Sequence, residues 1–249
     1  MTDSWIFPDW PAPPPVHAAI TTRRGPGISA PPFERFNLGL RSGDAADAVG
    51  ANRGALQQAL GLPSPPRWLR QVHGTSVAQL GPLGATEEPR ADAAVSHIPG
   101  TVLAILTADC LPVLFCADDG SEIGAAHAGW RGLAAGVLED TLTQLETPAH
   151  RLLAWLGPCI GAGSYEVGDE VRDAFVAFDA GAAGCFASTR PGHWLADLAA
   201  LARRRLQAAG VQQIHGGGFD TLADTRFYSY RRDGARSGRF ASLIWLADG

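Results

Sequence analysis

The chain has 249 residues, 46% of them apolar, so one large domain with a sizeable core is expected, and the net charge of −5 argues against a nucleic-acid partner, which needs a basic face. No apolar run approaches the ~20 residues of a membrane span, and the N-terminal MTDSWIFPDWPAPPP lacks the basic and apolar stretches of a signal peptide, so a cytoplasmic protein is the expectation. The four cysteines form no Cys-x-x-Cys pair and read as free thiols; all 20 basic residues are Arg, which excludes lysine Schiff bases, a P-loop lysine and a lysine general base.

Residues 1–16, rich in Pro, Trp and Asp, are expected to wrap the surface as an extended arm, followed by a strand over 16–22. A Gly-rich loop at 22–29 would allow a ligand close to the backbone, or form a plain turn. Asp44 is a suitable N-cap for a helix over 45–60, which carries Arg53. A strand over 67–72 is expected to deliver His73, with Gly74 permitting a sharp turn. Residues 90–93 open another short strand, with Asp92 at a surface turn. Further on, 133–145 has helical spacing, and its N-terminus beside Arg131 is a candidate anion seat. A short strand over 152–156 leads to a loop with Cys159. Helices are expected over 166–178 and 195–209, the second stopping at Gly210, then a strand over 211–215 ending at His215. Segments 227–231 and 239–246 read as a closing β-hairpin around a polar loop, with Arg231 and Arg232 near a pocket or on the surface. Hairpins dominate the middle of the chain, so the fold class is α+β: mixed β-sheets packed together with helices outside. No repeat, linker or charge block divides the chain, so 1–249 is expected to be a single domain.

The stretch 107–132 carries the chemistry. An apolar run over 101–106, a kink at Ala108-Asp109-Cys110, a run over 111–116, a polar turn at 117–120 and a run over 123–126 ending at His127 read as strand, kink, strand, turn, strand. Antiparallel pairing through that turn brings Cys110 and His127 together at one end of the sheet. A thiol beside an imidazole serves as a nucleophile with its base, or as two ligands of a borderline-soft metal such as zinc. A third nitrogen ligand would favour the metal, and His73 in QVHG is the candidate, with His215 as second choice; Cys159 is a weaker candidate for a fourth ligand, against a packed, passive thiol. The same residues also fit a small buried Cys and a satisfied core His.

These segments resemble one family. TADCLPVLF at 107–115, AAHAGWRG at 125–132 and QVHG at 71–74 are similar to the signature segments of the YfiH-like family, also called the multicopper polyphenol oxidase or laccase-domain family. FNLGLRSGD at 36–44, LGPCIGAGSYEVG at 156–168 and FYSYRRD at 227–233 extend the resemblance over nearly the whole chain. It implies the YfiH-like, cysteine-hydrolase-type α+β fold and a zinc site of His73, Cys110 and His127, which are also the implied catalytic residues. It places Asn37 and Arg53 at the substrate pocket and an Asp, here Asp92, near the metal; Arg131, read from its place at the anion seat next to His127, would add a substrate-binding fork there or pair with a carboxylate. Two departures stand out: Pro26 separates the glycines of the 22–29 loop, and no Cys stands at 218–221.

Three function classes follow. Three protein ligands leave a zinc coordination position open, which is the catalytic pattern. The resemblance implies a zinc-dependent purine nucleoside enzyme, phosphorolysing adenosine, inosine, guanosine and methylthioadenosine and deaminating adenosine. Its partners would be nucleoside and phosphate, the latter held by Arg, in a monomer or weak homodimer. A copper-dependent polyphenol oxidase (laccase) is the second class, though the 7 His form no His-x-His pair. The third is a cysteine hydrolase with Cys110 as nucleophile and His127 as base, editing a peptidoglycan precursor (UDP-MurNAc-L-Ser).

Overall fold

Leu111–Ala117 (LPVLFCA) is buried at every position, and so is Ile123–Ala128. Strands apolar on both faces need cover on both faces, and that requirement sets the architecture. The computed structural model describes residues 3–81 and 88–247. In chain order its first strands are β1 (Trp5–Ile6), β2 (Val16–Thr21), β3 (Val77–Gln79), β4 (Ala93–Ser96), β5 (Val102–Thr107), β6 (Leu111–Ala117) and β7 (Ile123–Ala128). The later ones are β8 (Leu152–Leu156), β9 (Glu166–Gly168), β10 (Phe186–Arg190), β11 (His193–Ala196), β12 (Gln213–Gly216) and β13 (Phe240–Leu246). The helices are α1 (Ala46–Leu60), α2 (Trp130–Ala135), α3 (Val137–Thr143), α4 (Asp169–Val176), α5 (Leu198–Ala208) and α6 (Tyr230–Asp233).

The central sheet has the order β12-β8-β6-β7-β4-β3, mostly antiparallel, with parallel pairs at both edges. A second sheet, β1-β2-β13-β5, packs on one of its faces, and β9, β10 and β11 form a third. Alternation along β6 divides the core. Leu111, Val113 and Phe115 join Leu138, Leu201 and Leu206 of the helical layer. Leu114 and Cys116 face the second sheet, with Ile105 and Ile244. The far face of that sheet is closed by α1 through Leu56, with Phe36 and Leu38. The layers therefore run helix, sheet, sheet, helices, which bears out the α+β expectation. Among the described residues no helix is long and apolar enough to cross a membrane.

Several elements differ from their sequence reading. The N-terminal arm contains a short strand where only an extended arm was expected: β1 pairs with β2, and Trp5 meets the Phe36 ring edge-on at 5.7 Å; residues 1 and 2 lie outside the described residues. Segment 67–72 makes only an isolated bridge, Arg67 to Leu103. The expected helix over 133–145 is two helices, because Gly136 adopts φ 107°, a conformation open to glycine, and ends α2. Glu166–Gly168 forms β9 before α4 begins. Asp44 does not cap α1; its carboxylate accepts from Ser29 Oγ at 2.6 Å and Asn37 Nδ2 at 3.0 Å. The closing hairpin is absent: residues after Phe227 turn into α6, and β13 instead runs between β2 and β5.

Candidate metal centre

β6 and β7 pair antiparallel with Pro112 opposite His127 and Leu111 opposite Ala128, so Cys110 and His127 end side by side as the hairpin predicted. His73 arrives from a loop. Its φ of 61° is left-handed, unusual for a non-glycine residue. The loop is held by two side chains. Gln71 pairs with the Leu106 backbone, donating to its carbonyl at 2.8 Å and accepting its N–H at 2.9 Å. These bonds stand where a strand ladder over 67–72 would have been. Asp92, fully buried, accepts the N–H groups of Val72 at 3.1 Å, His73 at 2.8 Å and Gly74 at 2.7 Å. The same carboxylate accepts from His127 Nδ1 at 2.9 Å. One buried anion thus holds the backbone of His73 and the ring of His127 and leaves His127 Nε2 for a ligand, as a carboxylate behind a metal-bound imidazole does.

His73 Nε2 lies 3.8 Å from Cys110 Sγ, and one ligand atom from each of His73, Cys110 and His127 falls within 4.8 Å of the others. Zn–S of about 2.3 Å and Zn–N of about 2.0 Å, opened tetrahedrally, require ligand atoms roughly 3.5 Å apart. The cluster needs only a small contraction, and its N/S/N donors match that metal chemistry. Gly129 begins α2 directly over it: a Cβ there would stand 2.9 Å from His73 Cδ2 and 3.0 Å from Cys110 Sγ. Burial opposes ionisation of the Cys110 thiol, but the charge and hydrogen bond of His127, joined by His73, bring it down to about 6. Burial likewise opposes charge on His127, yet Cys110 and Asp92 raise it to about 9. Burial pushes Asp92 up, and the bonds from His127, Gly74 and His73 outweigh it, leaving a net depression.

The cluster forms the floor of a cavity of about 640 Å³. Trp130, Arg131, Tyr165, Arg231 and Arg239 are among its walls. Arg131 lies 4.5 Å over the Trp130 ring and has no carboxylate partner among the described residues. Asn37 and Arg53 do not line this cavity. Asn37 is fully buried; its Oδ1 accepts from the backbones of Gly39 at 3.0 Å and Arg239 at 2.8 Å. Arg53 donates to Leu38 O at 3.0 Å and Glu88 Oε1 at 2.9 Å and stacks 4.1 Å over Trp68. Both build the loop that presents Gly39 to Ser42 to the cavity. The 22–29 loop does not reach it either. Cys159 is buried in the helical-side core and His215 sits on β12; neither belongs to the cluster. Arg232 spends its guanidinium on Asp233 and on the carbonyls of Thr221, Leu222 and Phe227. Sequence reasoning missed Tyr165 and Tyr230 as wall residues, although both lie in the quoted motifs. It noted Asp109 only as part of a kink.

Fold and site together define an α+β protein with a His-Cys-His cluster that could hold a metal ion, set in the wall of a cavity. The family model described as multi-copper polyphenol oxidoreductase laccase matches residues 17–247. The chain belongs to that family, the YfiH-like proteins. It is 56% identical to a protein of Xylella fastidiosa named purine nucleoside phosphorylase, over 98% of this chain and 97% of the relative. It is 51% identical to the Escherichia coli purine nucleoside phosphorylase YfiH, over 97% and 98% of the two chains. A crystal structure from Neisseria meningitidis superposes with a TM-score of 0.93 at 46% identity, covering 98% of this chain and 100% of that one. YlmD from Geobacillus stearothermophilus superposes with a TM-score of 0.89 at 30% identity, over 98% and 97%.

Proposed function

We propose that this chain is a zinc-dependent purine nucleoside phosphorylase that also deaminates adenosine. The observation that carries the reading is the open His73–Cys110–His127 cluster at the floor of an arginine-lined cavity. The names of the relatives point the same way. When bound, zinc supplies Lewis acidity at the cavity floor. The chain's own residues do the rest. Phosphorolysis joins a phosphate oxygen to ribose C1′ and breaks the C1′–N9 bond; the bonding pair leaves with the purine, which takes up a proton. Arg131 and Arg231 offer guanidinium forks for the phosphate, in a chain with no lysine to do so. The rings of Trp130, Tyr165 and Tyr230 offer faces for a purine. Adenosine, inosine, guanosine and methylthioadenosine are the proposed substrates. Deamination in the same cavity adds water at C6 of adenosine and releases ammonia. The copper oxidase reading has less support: one three-residue group of metal-binding side chains stands among the described residues.

A second reading has its own observation. The depressed Cys110 thiol, His127 and Asp92 form a chain of nucleophile, base and orienting carboxylate, the arrangement of a cysteine hydrolase. One experiment separates the two. Each nucleoside is incubated with metal-loaded protein, with and without phosphate, and the products are identified. Purine and ribose 1-phosphate formed only with phosphate support the first reading. A covalent substrate adduct on Cys110, with no phosphate requirement, would replace it with the second.

A further inference from the structure

Asp109 stands one residue before Cys110, is 9% exposed, and has a left-handed φ of 88°. Such backbone strain persists only where surrounding contacts hold it. Its carboxylate is outside the metal-binding cluster. Oδ1 accepts the Thr221 hydroxyl at 2.6 Å. Oδ2 accepts the Ser229 hydroxyl at 3.1 Å and the Arg231 backbone N–H at 2.6 Å. Its carbonyl accepts the Ile160 N–H at 3.0 Å. One residue therefore ties the Cys110 kink to three remote segments, and one of them carries Arg231 into the cavity.

Arg231 is equipped to meet an anion. One terminal nitrogen donates to Glu166 O at 3.0 Å, and the guanidinium lies 5.3 Å over the Tyr165 ring. Its other guanidinium nitrogens have no hydrogen-bond partner among the described residues. The backbone anchor that sets where this side chain starts is the Asp109 carboxylate. Ser229 repeats the link, since its hydroxyl donates to Asp109 and accepts the Arg232 N–H at 3.2 Å at the start of α6.

We propose that Asp109 is a positioning residue that fixes Arg231 beside Cys110, so that the cavity grips phosphate next to the metal ligands. This rests on the phosphorylase reading. Asp109 touches neither phosphate nor nucleoside; it acts through Arg231. A purely structural carboxylate would lower stability without singling out phosphate.

The test uses zinc-loaded full-length protein with Asp109→Asn, Arg231→Ala and the double variant. The amide keeps the shape but turns a donor toward groups that donate. Each single variant should raise the phosphate KM about tenfold, the scale of one charge-assisted hydrogen bond, and that rise should exceed any fall in kcat at saturating phosphate. Metal content should equal that of wild type, and the double variant should be no worse than Arg231→Ala. An unchanged phosphate KM in folded Asp109→Asn, or rises that multiply in the double variant, would overturn the proposal. If Asp109→Asn does not fold, Thr221→Val and Ser229→Ala keep the carboxylate and remove one donor each. Smaller rises in phosphate KM support the coupling, and none in either overturns it. Calorimetric titration with inorganic phosphate alone separates this proposal from the one it rests on. Phosphate bound by wild type and lost in both single variants, without phosphorolysis, ends the phosphorylase reading and keeps the positioning role. No phosphate binding by wild type ends both.

Discussion

Asp92→Asn is the most informative single change outside the ligands. The carboxylate holds four donors: the N–H groups of Val72, His73 and Gly74, and His127 Nδ1. An amide keeps one oxygen. Its NH2 costs least in place of Oδ2, where it confronts the Gly74 N–H at 2.7 Å; in place of Oδ1 it would confront both His73 and His127. One charge-assisted hydrogen bond is then lost, about 1.5–3 kcal/mol. For a chain of this size about 2–4 °C of Tm accompanies each kcal/mol, so a fall of roughly 3–12 °C is expected. The remaining bond to His127 now ends on a neutral acceptor, so metal affinity should drop about 10–100-fold. Because Asp92 is depressed in the folded state, its contribution is complete above the ordinary carboxylate pKa of about 4 and fades as pH falls through the folded value. The stability gap between wild type and variant should therefore narrow in acid. Thermal melts with and without chelator, across pH, and a zinc competition titration measure all three. A variant that melts with wild type at neutral pH and binds metal equally well would refute this account of the loop.

Arg53→Ala should leave the phosphate KM within about twofold and lower Tm, because it removes the Leu38 and Glu88 bonds and the Trp68 stack but no cavity wall; steady-state kinetics at varied phosphate decide this. Gly129→Ala should weaken metal binding while the fold survives, since its Cβ meets two of the ligands; zinc content of the purified variant is the readout. In chelator-treated protein, iodoacetamide should alkylate Cys110 with a pH profile rising near 6, while Cys116, raised to about 12 by burial, stays unreactive in the folded state. Zinc should protect Cys110, and equal rates with and without chelator would contradict its role as ligand.

The hairpin that joins Cys110 to His127 was legible because its signals are local: two apolar runs, a polar turn and a register fixed by its length. His73 was legible as an upstream nitrogen candidate, which the family resemblance also implied, and the structure brings it into the cluster. The resemblance put Asp92 near the metal, but how it acts was not legible, since that depends on three backbone N–H groups that a loop some twenty residues upstream turns toward it. Asn37 and Arg53 show how a motif near a cavity differs from a wall of it: Asn37 bonds Gly39, Arg239, Ser42 and Asp44, and Arg53 spends Nε and Nη1 on Leu38 and Glu88. The closing hairpin failed for a related reason. Asp109 captures Ser229 and Arg231 and turns that segment into α6, and β13 fills the gap between β2 and β5. Strand pairing between segments more than a hundred residues apart leaves no periodic mark on either one.

His73, Cys110 and His127 are proposed to hold the zinc on which phosphorolysis depends. The direct measurement is metal quantification of wild-type and Cys110→Ala protein, joined to phosphate-dependent purine release by the same samples. The account predicts about one zinc per chain and phosphate-dependent purine release in wild type, with metal and activity lost together in Cys110→Ala. Stoichiometric zinc retained by Cys110→Ala, or full purine release by rigorously zinc-free wild type, would contradict it.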